Sequence, residues 1–102
     1  MKYLIVLSTL FLASCTTSLT NEAREIIIVK DYNIVKDMKN LGVTEGSSSR
    51  TGMQVKSGRK NALNEALNKA ADLGATHYYI QEHWGHYMSW SVGVRGIAYR
   101  NK

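Results

Sequence analysis

The 102-residue chain has a single cysteine, Cys15. One thiol cannot close an intramolecular disulfide, so the fold must rest on its apolar core or on a partner. Long hydrophobic runs are also lacking. The most apolar stretch, residues 3–12 (YLIVLSTLFL), is ten residues long. At about 1.5 Å each these reach roughly half of a ~30 Å hydrocarbon core, which excludes a spanning helix. There is no Gly-x-Ser-x-Gly elbow, no Gly-x4-Gly-Lys-Ser/Thr phosphate loop and no internal repeat. Gly52, Gly58, Arg59 and Lys60 imitate the phosphate loop only superficially, because the spacing that cradles a phosphate is missing. No enzyme and no cofactor are expected.

What the first fifteen residues do contain is an export signal. Lys2 supplies the positive end, residues 3–12 the apolar segment, and Leu12-Ala13-Ser14 a small-residue stop before Cys15. Charge, apolar length and stop are those of a secretory signal, and Leu12-Ala13-Ser14-Cys15 matches the lipobox read by bacterial lipoprotein-processing enzymes. The chemistry requires a thiol: diacylglycerol is joined to it as a thioether, the chain is cut before it, and the freed amine accepts a further acyl chain. One fourteen-carbon chain gives only marginal attachment, whereas two or three longer ones hold a protein to a bilayer durably. The chain thus divides into a signal at 1–14, a lipidated N-terminus and tether at 15–24, and a small domain at 25–102. With Lys2 removed, twelve basic residues face eight acidic ones, a balance of about +4. That invites anionic partners such as lipid headgroups, but the charges are scattered and also serve plain solubility. The compartment argues against nucleic acid.

In the domain, residues 16–24 are polar and aperiodic, a tether. Residues 25–30 (EIIIVK) have the β-branched pattern of a largely buried strand;. Residues 31–40 suggest a turn and a short helical piece through Ile34, Val35 and Met38, and residues 41–46 a second short strand. Residues 47–58 read as a polar loop. Ala62, Leu63, Ala66, Leu67, Ala70 and Leu73 then recur at helical spacing;. Ser57 is the candidate N-cap and Gly74 the residue just past the end. Alanines keep that stripe thin, so the helix can lie close to a sheet. Residues 75–82 and 91–100 read as strands joined by a long tip at 83–90. The sum is an α+β domain, β-β-α-β-β, with one helix packed on a small antiparallel sheet of about four strands.

Two constellations could carry function. His77, His83 and His86 lie near Glu82; in an unbroken strand 77 and 83 share a face, so these histidines are weak metal candidates. Zinc wants three or four well-placed ligands, and the only thiol is taken by lipid. No metal is therefore assigned, and a small ligand- or metal-binding lipoprotein using residues 77–90 is the alternative function. The second constellation is aromatic. Tyr78 and Tyr99 suit the core, whereas Trp84, Tyr87 and Trp90 fall in the expected tip, where large rigid side chains suit recognition. They are the candidate partner-binding residues.

Three segments carry a resemblance. Residues 70–76 (AADLGAT) resemble the "AA-x-LGAN" helix end of a family of small bacterial lipoproteins of unknown function, related to the outer-membrane lipoprotein that senses envelope stress for the Rcs phosphorelay. Residues 96–100 (GIAYR) resemble its closing "G-x-AYRC" strand, and residues 41–46 (LGVTEG) its "C-x-x-LG-x-V-x-G" segment. The family often has cysteines where this chain has Met38 and Asn101, so a disulfide-dependent mechanism is not carried over. Thr16 after the lipidated cysteine, with no aspartate there, resembles Gram-negative lipoproteins sorted to the outer membrane. The resemblance implies a lipid-anchored periplasmic domain that binds an envelope component, in stress sensing or assembly.

Overall fold

The computed structural model describes residues 18–49, 55–85 and 91–101. Four strands, β1 (Ile27–Val29), β2 (Lys39–Ser48), β3 (His77–Trp84) and β4 (Val92–Arg100), form one sheet in the order β1-β3-β4-β2. Two single-turn helices, α1 (Asn21–Arg24) and α2 (Tyr32–Val35), flank β1, and the long helix α3 (Val55–Asp72) lies between β2 and β3 in sequence. This is the expected α+β arrangement of one main helix on a small four-stranded sheet. One pairing differs in sense: β1 runs parallel to β3, while β3–β4 and β2–β4 are antiparallel. The cause is connectivity. β2 leaves for the far edge, α3 carries the chain back across the sheet, and β3 enters beside β1 in the same direction.

Helix α3 packs by its alanines. Ala62, Ala66 and Ala70 are buried with Leu67 against Tyr78, Val94 and Ala98. The closest approach is at Gly46 of β2, where an added Cβ would stand 1.9 Å from the Ala62 carbonyl oxygen. Only a residue without a side chain fits there. Around it the two elements are stitched: Thr44 Oγ1 donates to the Ala66 carbonyl at 2.9 Å and Lys69 Nζ to the Glu45 carbonyl at 3.0 Å. The helix ends at Asp72, and Gly74 just beyond it has a φ of +86°, of the kind glycine adopts freely;. The Gly74 N–H donates to Ala71 and the Ala75 N–H to Ala70, so the last carbonyls are satisfied;.

Several local expectations change. Residues 25–30 are no buried strand: β1 is a three-residue edge strand with Ile27 57% and Ile28 42% exposed and only Val29 buried. A β-branched run is the same in sequence at an edge or in the middle of a sheet. Ser57 lies inside the first turn of α3, which starts at Val55, and is not its N-cap. Leu73 is exposed because the helix has ended before it. β2 runs on to Ser48, which shortens the loop expected from residue 47.

The expected tether is in part folded. Thr20 caps α1, its Oγ1 accepting from the Ala23 N–H at 3.2 Å, and Ala23 is buried. The Asn68 side chain of α3 bridges the incoming chain. Its Oδ1 accepts from the Thr20 N–H at 2.9 Å, and its Nδ2 donates to the Ser18 carbonyl at 2.8 Å. The chain is therefore fixed to α3 from Ser18 onward. Among the described residues no helix is long and apolar enough to cross a membrane.

Candidate functional site

The sheet face away from α3 gathers side chains in rows. Strand register places Val29, Tyr79, Ile97 and Val43 in one row across all four strands. Beside it lie Ile27, His77, Tyr99 and Asn40. Helix α2 covers one end, where Val35, Val29 and Tyr99 form a small second core with Met38, Tyr79 and Ile97 packed against it. The Tyr32 ring leans on Tyr79, centroids 5.7 Å apart and planes at 56°, a tilted geometry favoured by ring quadrupoles. Burial, and then the neighbouring Tyr32 and Tyr79, push the Tyr99 hydroxyl above the ordinary tyrosine pKa. Around this core Tyr32, Ile34 and Val43 stay at least half exposed, at 50%, 55% and 58%.

A charged row borders the apolar ones. Arg95 stands between Glu45 and Glu82, with Nε 3.3 Å from Glu45 Oε2 and Nη1 3.4 Å from Glu82 Oε1. All three side chains are about half exposed, so the row contributes little to stability but marks where the apolar surface stops. Beyond it Trp84 pairs with Gly93. The indole fills the space a side chain at Gly93 would need, since a Cβ there would be 2.0 Å from Trp84 Cζ2. Covering a strand glycine with a cross-strand aromatic protects an otherwise bare stretch of backbone.

Trp84 is thus a half-buried strand residue and not part of a tip that starts at residue 83. Tyr87, Trp90 and His86 lie outside the described residues, as does Cys15. The histidines that can be placed do not converge. The register shifts between Ile80 and Glu82, leaving Gln81 as the extra residue of a bulge, and a bulge inverts the alternation of faces beyond it. His77 consequently pairs with Tyr99 on the open face, and His83 with Val94, whose side chain belongs to the α3 core. His77 is buried, its Nδ1 2.9 Å from Thr76 Oγ1; His83 is exposed. Among the described residues no three His, Cys, Asp or Glu side chains are grouped to hold a metal ion.

The structure brings together residues that sequence reasoning passed over: Val43, Tyr79, Ile97, Tyr32 and Ile34. The alternation Val94, Gly96, Ala98 against Arg95, Ile97, Tyr99 is the signal that could have found this face, because it makes both sides of β4 apolar. Met38 and Asn101 flank the last β2–β4 pair, Lys39 with Arg100, so the two positions lie at the same end of that ladder. No family model, curated protein or solved structure compared with this chain matches it.

Proposed function

We propose that the chain is an outer-membrane lipoprotein, anchored through Cys15, whose periplasmic domain is a non-catalytic binding module. Its open sheet face takes an apolar segment of another envelope protein. The observation that carries the binding role is the row Tyr79, Ile97, Val43 beside the buried Val29, with Val43 58% exposed, bordered by the Glu82–Arg95–Glu45 charges. An apolar patch rimmed by polar groups is the usual anatomy of a protein interface. The lipobox supports the anchor. The closeness of Met38 and Asn101 at one ladder end is consistent with the cysteine pair of the family that the sequence resembles, and that resemblance is what supports a role in stress sensing or envelope assembly. The metal-binding alternative has less support, since His77 and His83 lie on opposite faces.

The test is a photo-crosslinking side chain placed at Val43 in cells, compared with one at Lys36. The expected result is a discrete protein adduct from position 43 that disappears in an Ile97→Asp background. For Val43→Asp, an exposed change, the unfolding free energy should stay within about ±0.5 kcal/mol of the parent, as is typical of surface positions, while partner capture falls at least tenfold. Undiminished capture by both variants would move the interface elsewhere.

A further inference from the structure

We infer that a groove beside the fixed N-terminal segment binds a phosphate of the lipids surrounding the anchor, and so seats the α3 side of the domain on the bilayer. The inference rests on lipidation of Cys15. The first observation is the length of chain available. Because Asn68 holds Ser18 and Thr20 against α3, only three residue steps separate Cys15 from the point of attachment, at most about 11 Å. The polar headgroup zone is itself some 5–8 Å thick on each side of the hydrocarbon. A domain held so closely meets the headgroups with the surface next to Ser18.

That surface is a groove of about 480 Å³, with Leu19 and Arg24 on one side and Ser57, Lys60, Asn61 and Asn64 of α3 on the other. Among the described residues its lining has two cations and no carboxylate. Among the described residues neither Arg24 nor Lys60 is in an ion pair. Asn61, only 9% exposed, also borders the groove. A guanidinium, an ammonium and an amide N–H donor converging on one space suit a phosphate, and Leu19 gives the apolar margin that the glycerol side of a lipid would meet. The consequence is orientation. With α3 against the headgroups, the open sheet face on the opposite side points away from the membrane, toward partners.

The test uses the purified full-length lipidated protein, its intact mass first establishing the lipid on Cys15. Acetylation rates of Lys60 and Lys36 are then compared in neutral detergent micelles, in phosphatidylcholine vesicles and in vesicles containing phosphatidylglycerol. Attraction to an anionic surface is worth about fivefold per cation, so Lys60 should be protected about fivefold or more in the anionic vesicles while Lys36 is unchanged. Arg24→Gln should return much of the Lys60 rate. Equal rates for Lys60 in all three settings, or equal protection of Lys36, would overturn the proposal. Protection by inorganic phosphate alone in micelles, to the same extent, would assign the groove to free phosphate and overturn its role in seating. A mass without lipid would remove the anchor and the placement together, whereas an intact lipid with unprotected Lys60 removes the groove alone.

Discussion

Tyr78 is the side chain on which three strands converge. It leaves β3, passes over Gly96 of β4, where a Cβ would lie 2.6 Å from its ring, and donates its hydroxyl to the Thr44 carbonyl of β2 at 2.8 Å. Burial raises its pKa above the ordinary 10.0, the Thr44 side chain and the Gly96 backbone opposing this only in part and the Glu45 charge adding to it. A tyrosine whose folded pKa is raised binds more protons folded than unfolded between the unfolded pKa of 10.0 and the folded one;. Its contribution is therefore complete below pH 10.0 and lost as pH rises toward the folded pKa;. Tyr99 acts with the same sign. Tyr78→Phe should cost about 1–2 kcal/mol at pH 8, by loss of the hydrogen bond and an unpaired carbonyl. The gap to the parent should narrow at pH 11, because the variant no longer has this titration. Urea midpoints at the two pH values check this, and a constant gap would mean that Tyr78 does not titrate differently in the folded state.

At the scale of elements, the decisive contact is α3 on β2. Gly46→Ala places a methyl inside van der Waals contact of the Ala62 carbonyl, and helix and strand have to separate. The cost should reach or exceed about 3 kcal/mol, the upper end for overpacking, seen as a fall in melting temperature of more than 10 °C for a domain of this size. A melt within a few degrees of the parent would show that the approach is looser. The helix itself was legible in sequence, since the alanine stripe and Gly74 are local signals, and so were β3 and β4. What was not legible depends on partners distant in the chain. The parallel entry of β3 beside β1 follows from where β2 goes, and nothing in residues 25–30 records it. The Gln81 bulge has no glycine or proline to announce it, and it alone separates His77 from His83. Trp84 read as a tip residue because its partner, Gly93, lies nine positions further on.

The whole molecule is a plate with unlike sides. One side has α3, the groove and the point where the N-terminal segment joins; the other is the open face. Asn68 lies off the apolar stripe of α3, and nothing local in the sequence marks it, because its two partners, Ser18 and Thr20, lie about fifty positions away. It is the side chain that connects the N-terminal segment to the plate. Asn68→Ala removes both hydrogen bonds and leaves the Thr20 N–H and the Ser18 carbonyl to water. As these groups are exposed, the global cost should be small, on the order of 1–2 kcal/mol for the pair. The local effect should be larger: amide exchange at Ala23 and Arg24 should accelerate at least tenfold, while Val94 and Ala98 of β4 keep their protection. Opening of α1 without opening of the sheet would make the last free residues before the domain a longer tether, and Lys60 protection on anionic vesicles should weaken with it. If α1 exchange is unchanged in Asn68→Ala, the segment is held by Leu19 and Ala23 packing instead, and the short reach proposed from the membrane does not depend on this asparagine.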